Sequence, residues 1–189
     1  MENVETQQAP LPKYAGFWVR AVAKLIDCLV MLPITLGTLW SMSRGVETYL
    51  LCQLPLSLLA VAYIVYFNGR YGATIGKRVM KLQVLDISGA KIDYKQALCR
   101  EIVSVAYIFL SCVFSWLSFA HAPSSESALS LYIGGQQSPA LHFVNLAMQL
   151  FVFLDILVLV FNKKKRAIHD FIGGTVVVRT HILVPHPSI

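Results

Sequence analysis

The stretch RAVAKLID, Arg20 to Asp27, opens an apolar run from about Phe17 to Ser41 with two cations and places a carboxylate seven residues after the first of them. Seven residues make two helical turns, so Arg20 and Asp27 share one helix face and Lys24 lies within a turn of both. At about 1.5 Å of rise per residue, Asp27 sits roughly 10 to 15 Å below the surface at which the run begins. Arg20 and Lys24 are long enough to snorkel back to that surface, whereas an aspartate is not. Two readings follow. In one, the charges partner one another and lock helix packing. In the other, Asp27 contributes to a cation or proton site with Arg20 or Lys24 as its counter-charge.

The rest of the chain gives this run its setting. Of 189 residues, 56% are hydrophobic and only 14% charged, and the mean hydropathy is +0.61, a balance that points to a bilayer as solvent. Three further apolar runs, about 49–67, 102–119 and 141–161, are each long enough to cross hydrocarbon as a helix. The expected fold is therefore all-α: a four-helix transmembrane bundle in one domain over residues 14–180, with a polar tail at 1–13 and a second tail at 181–189. The start lacks the pattern of a secretory signal, so the first helix is expected to stay in the mature protein.

Charge sets the orientation. Of the 16 Lys and Arg residues, 15 fall in the N-terminal region, the loop 68–101 and the tail after Phe161; the outer hairpins hold only Arg44. Under the positive-inside rule both termini and the long loop face the cytoplasm. In that topology the last helix descends toward the same surface and ends just after Asp155, which lies about 9 Å above its end. Two carboxylates, Asp27 and Asp155, thus arrive in one half of the bilayer, where each costs on the order of 2.5 to 3.5 kcal/mol unless it finds a partner, a proton or water.

The loop 68–101 alternates apolar and polar residues around Ser88-Gly89, a hairpin signal, and the tail GGTVVVRTHILV is strand-like after its Gly-Gly break, so a small cytoplasmic β element is expected. The segment His121 to Ala140 reads as a solvated connector. GATIGK, Gly72 to Lys77, lacks the spacing and the Ser or Thr of a phosphate-binding loop, and reads instead as an interfacial turn with Lys77 and Arg78 at lipid headgroups. Lys163, Lys164, Lys165 and Arg166 read as a stop-transfer and headgroup-contact cluster, which needs no nucleic acid. His169 and Asp170 follow it, Asp170 capping a short helix or anchoring the tail against the first helix. Cys28, Cys52, Cys99 and Cys112 form no ligand pattern and read as small buried hydrophobes. No hydrolase pattern is present and no enzymatic role or cofactor is expected.

RAVAKLID at the head of the first run, YGATIGKRVMKLQVLDISGAKIDYKQALCRE after the second and KKKRAIHDFIGGTVVVR after the last resemble, in order, the RDD family of multi-spanning bacterial membrane proteins. That family is named for an arginine and two aspartates, which correspond here to Arg20, Asp27 and Asp170. The resemblance implies an inner-membrane protein and transport of unspecified ligands, with sodium/proton exchange associated with some members. The expected function is passage of a cation or proton along Asp27 and Asp155, with Arg20, Lys24 and His169 as counter-charge or gate. Four spans are few for a solitary transporter, so a homo-oligomer is expected. The alternative is a non-transporting subunit or scaffold that docks a protein partner through its basic loop and tail.

Overall fold

The structure, a computed structural model, describes residues 14–119, 127–135 and 137–180. The tails 1–13 and 181–189 and residues 120–126 and 136 of the outer loop lie outside the described residues. The fold is mostly helical. Helix α1 (Phe17–Val30) meets α2 (Leu32–Arg44) at Met31 with a bend of 55°. The uninterrupted span expected over 17–41 is therefore a bent pair. Pro33, in the first turn of α2, has no N–H to give and a φ already suited to starting a helix, so the chain begins a new helix there.

Helix α3 (Val46–Tyr71) follows Gly45 and continues four residues past the apolar run expected to end at Phe67. It closes at Gly72, whose φ of 69° is left-handed and whose N–H donates to the Asn68 carbonyl at 2.8 Å. The short α4 (Ile75–Val79), strand β1 (Leu82–Asp86) and α5 (Tyr94–Arg100) make up the loop that follows. Asp93 starts α5 with a capping box, its carboxylate accepting the Gln96 N–H while the Gln96 side chain accepts that of Asp93. Then come α6 (Ile102–Phe119), α7 (Ala128–Ile133), α8 (Pro139–Phe161), α9 (Ile168–Ile172) and β2 (Thr175–Arg179). Three helices, α3, α6 and α8, are long and apolar enough to cross a membrane, and the bent α1–α2 pair makes up to four spans. Large apolar side chains such as Leu51, Phe109, Trp116, Phe143 and Phe153 point outward from them, as helices solvated by lipid require.

The expected β element forms from both predicted segments. Strand β1 pairs antiparallel with β2 in the register Leu82↔Arg179 to Asp86↔Thr175. The hairpin signal is realised as a tight turn at Gly89 that bridges Leu85 to Lys91. On the other edge of β2, Tyr14 bridges Val178 and the Ala15 N–H donates to the Val177 carbonyl at 2.9 Å. The N-terminal segment, the loop and the tail are thus joined at one end of the bundle, over a core of Ala15, Ala23, Leu82, Val84, Ile92, Ala97 and Val177.

The opposite end has its own core, in which Ala128 and Leu131 of α7 pack with Val46, Tyr49, Phe119 and Leu141. The described part of the outer loop is therefore a folded cap, not the solvated connector expected, because Ala128 and Leu131 repeat at helical spacing and Ser127 caps α7 through its hydroxyl. The cysteines also differ from expectation. Cys28 and Cys99 are exposed and Cys52 and Cys112 half-buried; Cys28 follows Asp27 by 100° around α1, which turns it away from the protein when Asp27 points in.

Candidate functional site

The charged residues gather where the three joined segments meet. Asp170 lies in the first turn of α9 and is fully buried. Its Oδ2 accepts from Arg20 Nη1 at 2.6 Å and from the Ala167 backbone N–H at 3.1 Å. Its Oδ1 lies 2.9 Å from Arg100 Nη2, an ion pair outside straight hydrogen-bond geometry. Arg20 also donates to the carbonyls of Ala15 and Lys165, and Arg100 to Thr175 Oγ1 at 2.8 Å. One carboxylate thereby ties α1, α5 and the tail. Burial pushes the Asp170 carboxyl toward protonation, but the Arg100 guanidinium, then His169 and Arg20, outweigh it and hold its pKa well below the usual carboxylate range.

Asp27 sits in a different set. Only 8% exposed, it accepts from Tyr63 Oη at 3.0 Å and the Gly76 N–H at 2.8 Å on Oδ1, and from Thr74 Oγ1 at 2.6 Å on Oδ2. The Tyr63 hydroxyl in turn accepts the Ile75 N–H at 3.2 Å. Asp27 therefore reaches across from α1 to the start of α4, satisfying donors that a helix N-terminus leaves free. Gly76 permits the approach: a Cβ there would run into the Ala23 carbonyl oxygen.

Neither cation of the first run pairs with Asp27. Arg20 turns to Asp170, and Lys24 is exposed. Sharing a face was not enough, because two turns separate Arg20 from Asp27 by about 10 Å along the axis, and the tail offers Arg20 a nearer carboxylate.

Asp155, on α8, belongs to a third set. Its carboxylate accepts the backbone N–H of His169 at 3.0 Å, and His169 Nδ1 lies 2.8 Å from its Oδ2. The other ring nitrogen, Nε2, is 3.5 Å from Asp170 Oδ1. His169 thus stands between Asp155 and the Arg20–Asp170–Arg100 cluster. No hydrogen bond among the described residues joins Asp27 to Asp155.

A sequence profile described as the RDD family matches residues 14–174. The chain belongs to the RDD family. Comparison with curated proteins and with solved structures finds no match. In this RDD-family protein the name-giving trio divides: Arg20 and Asp170 form one ion pair, while Asp27 is held apart by uncharged donors.

Among the other residues read from the sequence, Arg78 stacks over the Tyr71 ring at 5.0 Å and Arg166 over Phe171 at 4.1 Å. Lys165 Nζ turns back to the Val160 carbonyl at 2.8 Å. Lys77 is half-buried, its ammonium donating to Asn68 Oδ1 at 3.3 Å. Burial, with the Arg100 charge adding to it, lowers the Lys77 pKa from 10.5 to about 7.

A lysine whose folded pKa is lowered binds fewer protons than the unfolded chain between about pH 7 and its ordinary value, so stability rises with pH across that window. Unfolding of the wild type should become harder between pH 7 and pH 9, and the K77M variant should lose that slope. Equal slopes in denaturant titrations of the two proteins would refute this assignment.

Arg100, Tyr63, Thr74 and Gly76 were not singled out by sequence reasoning. Arg100, Thr74 and Gly76 lie inside the quoted family motif, where Arg100 counts only as one of the loop cations and Gly76 reads as a turn glycine. Tyr63 had no signal at all within its apolar run.

Proposed function

We propose that this RDD-family chain is a multi-pass protein of the bacterial inner membrane that passes a cation or a proton as a homo-oligomer, with Asp27 as the group that carries the charge. The observation that supports this reading is the asymmetry between the two family aspartates. Asp170 faces two guanidinium groups and has its charge fully met. Asp27 receives three hydrogen bonds from neutral donors and, among the described residues, no cation within ion-pair distance. A buried carboxylate whose partners are all neutral donors can take up a proton or a small cation without breaking an ion pair. Asp155 with His169 supplies a second acceptor nearer the end of α8, partly open to solvent. The cation-rich N-terminal segment, loop and tail share one end of the bundle, which with the positive-inside rule supports their cytoplasmic placement.

The test is flux in proteoliposomes under an imposed proton or sodium gradient. Asp27→Asn keeps the size of the side chain and the acceptor for Tyr63 and Gly76, so it should melt within about 1.5 kcal/mol of wild type, yet its flux should fall to that of empty vesicles. Undiminished flux in the folded variant would overturn the reading. The scaffold alternative draws on exposed Ile87, Tyr94 and Leu98 around the sheet and α5; it predicts flux at background in the wild type too.

A further inference from the structure

At the end of α8 the chain turns through Asn162, whose side chain accepts the Lys164 N–H at 2.8 Å and that of Arg166 at 3.4 Å. This turn and the side of α9 enclose an open groove of about 530 Å³ lined by Phe161, Asn162, Lys163, Lys164, Arg166 and Phe171. Its lining is divided in chemistry. Phe161, the last residue of the membrane-crossing helix, is 80% exposed, and Phe171 is exposed on the facing side. The four cations of the turn are used differently. Lys165 and Arg166 are committed inward, Lys165 to the last turn of α8 and Arg166 to the carbonyls of Thr175 and Asp170. Lys163 and Lys164 are exposed, and their ammonium groups have no partner among the described residues.

We infer that this groove binds one anionic phospholipid, its phosphate between Lys163 and Lys164 and its upper acyl chain against Phe161 and Phe171. Charge complementarity argues for the headgroup, since two free ammonium groups stand beside the guanidinium of Arg166, which lies over the Phe171 ring at 4.1 Å. The aromatic walls select the lipid over a soluble phosphate: Phe161 closes the candidate span α8, the level at which an acyl chain joins its headgroup, and Phe171 lines the same groove. This is a single bounded site, more specific than a basic tail attracted to an anionic surface, and it is independent of what the bundle transports.

Native mass spectrometry of the full-length protein released from mixed phosphatidylglycerol and phosphatidylcholine micelles reads the site directly. Wild type should retain one phosphatidylglycerol in preference to phosphatidylcholine, and K163Q/K164Q should lower that preference on the order of 25-fold, each cation near an anionic headgroup being worth about fivefold. Phe161→Ala should weaken retention of phosphatidylglycerol while leaving the charge intact. K91Q/K95Q, which removes two exposed lysines elsewhere on the same end, should change nothing. An equal loss in both lysine pairs would overturn the site in favour of diffuse attraction, and displacement of the lipid by inorganic phosphate would overturn the lipid in favour of a soluble anion. Circular dichroism of each variant confirms that the comparison is between folded proteins.

Discussion

Asp170→Asn is expected to destabilise the folded protein by about 3–5 kcal/mol, because it removes one partner of a buried charge cluster and leaves the others buried. Asp170 is 0% exposed and Arg100 only 3%. An asparagine fills the same space but brings no charge and directs N–H groups at a guanidinium. Arg20 would retain the carbonyls of Ala15 and Lys165, whereas Arg100 would keep only Thr175. Chemical unfolding in detergent micelles, followed by circular dichroism, measures the loss. Asp155→Asn is the internal comparison: its contact with His169 is partly solvated on both sides, so it should cost about 1 kcal/mol or less. If the two substitutions cost the same, the cluster does not act as the lock. Acid should mimic the first of them. Since the Asp170 pKa is depressed in the folded state, its contribution is complete above the unfolded aspartate value of about 3.9 and is lost only as pH falls through the lower folded value. Wild type should therefore converge on Asp170→Asn only in strong acid.

Gly76→Ala should cost about 2–4 kcal/mol, combining overpacking with a weakened hydrogen bond to a carboxylate. The new Cβ would overlap the Ala23 carbonyl oxygen and lie 2.9 Å from Asp27 Cγ and 3.0 Å from Asp27 N. These are backbone atoms of α1 and a carboxylate that α4 itself holds, so neither side can yield without parting the helices. Gly69 supplies the contrast. The three atoms nearest a Cβ there all belong to the ring of Tyr94, a side chain that is 49% exposed and so has space on its solvent side into which to shift. Gly69→Ala also gains up to about 1 kcal/mol of helix propensity, so its net effect should be small. Thermal melting of the two variants separates a rigid contact from a yielding one; a Gly76→Ala protein that melts with wild type would show that α1 and α4 are not in close register.

Much of this architecture was legible as length and polarity. The runs at 49–67, 102–119 and 141–161 became helices because a bilayer-length apolar segment has no other way to satisfy its backbone. The strand pattern after Gly173-Gly174 and the turn at Ser88-Gly89 were likewise visible, since period-two alternation and a turn glycine are local signals. The anchoring of the tail on the first helix through Asp170 was among the readings of the sequence, although Arg100 as its second cation was not. The bend at Met31 had a signal in Pro33, but the surrounding residues stay apolar and periodicity alone reads straight through. The partners of Asp27 had none. Tyr63, Thr74 and Gly76 lie 36 to 49 residues away, and a helical-face rule relates only residues on one helix. The same rule placed Arg20 beside Asp27, whereas the nearer carboxylate came from a segment 150 residues later in the chain.

That separation carries a consequence for how the protein is made. Among the described residues, every candidate span has left the ribosome by Phe161, yet Asp170 and the strand beneath Tyr14 emerge afterwards. During synthesis the first helix must wait, inserted and with its arginine unpaired, until the final stretch arrives to close over it. A chain that stops short of Asp170 should therefore insert its candidate spans and still be left unfastened, cut by added protease faster than the chain that contains it.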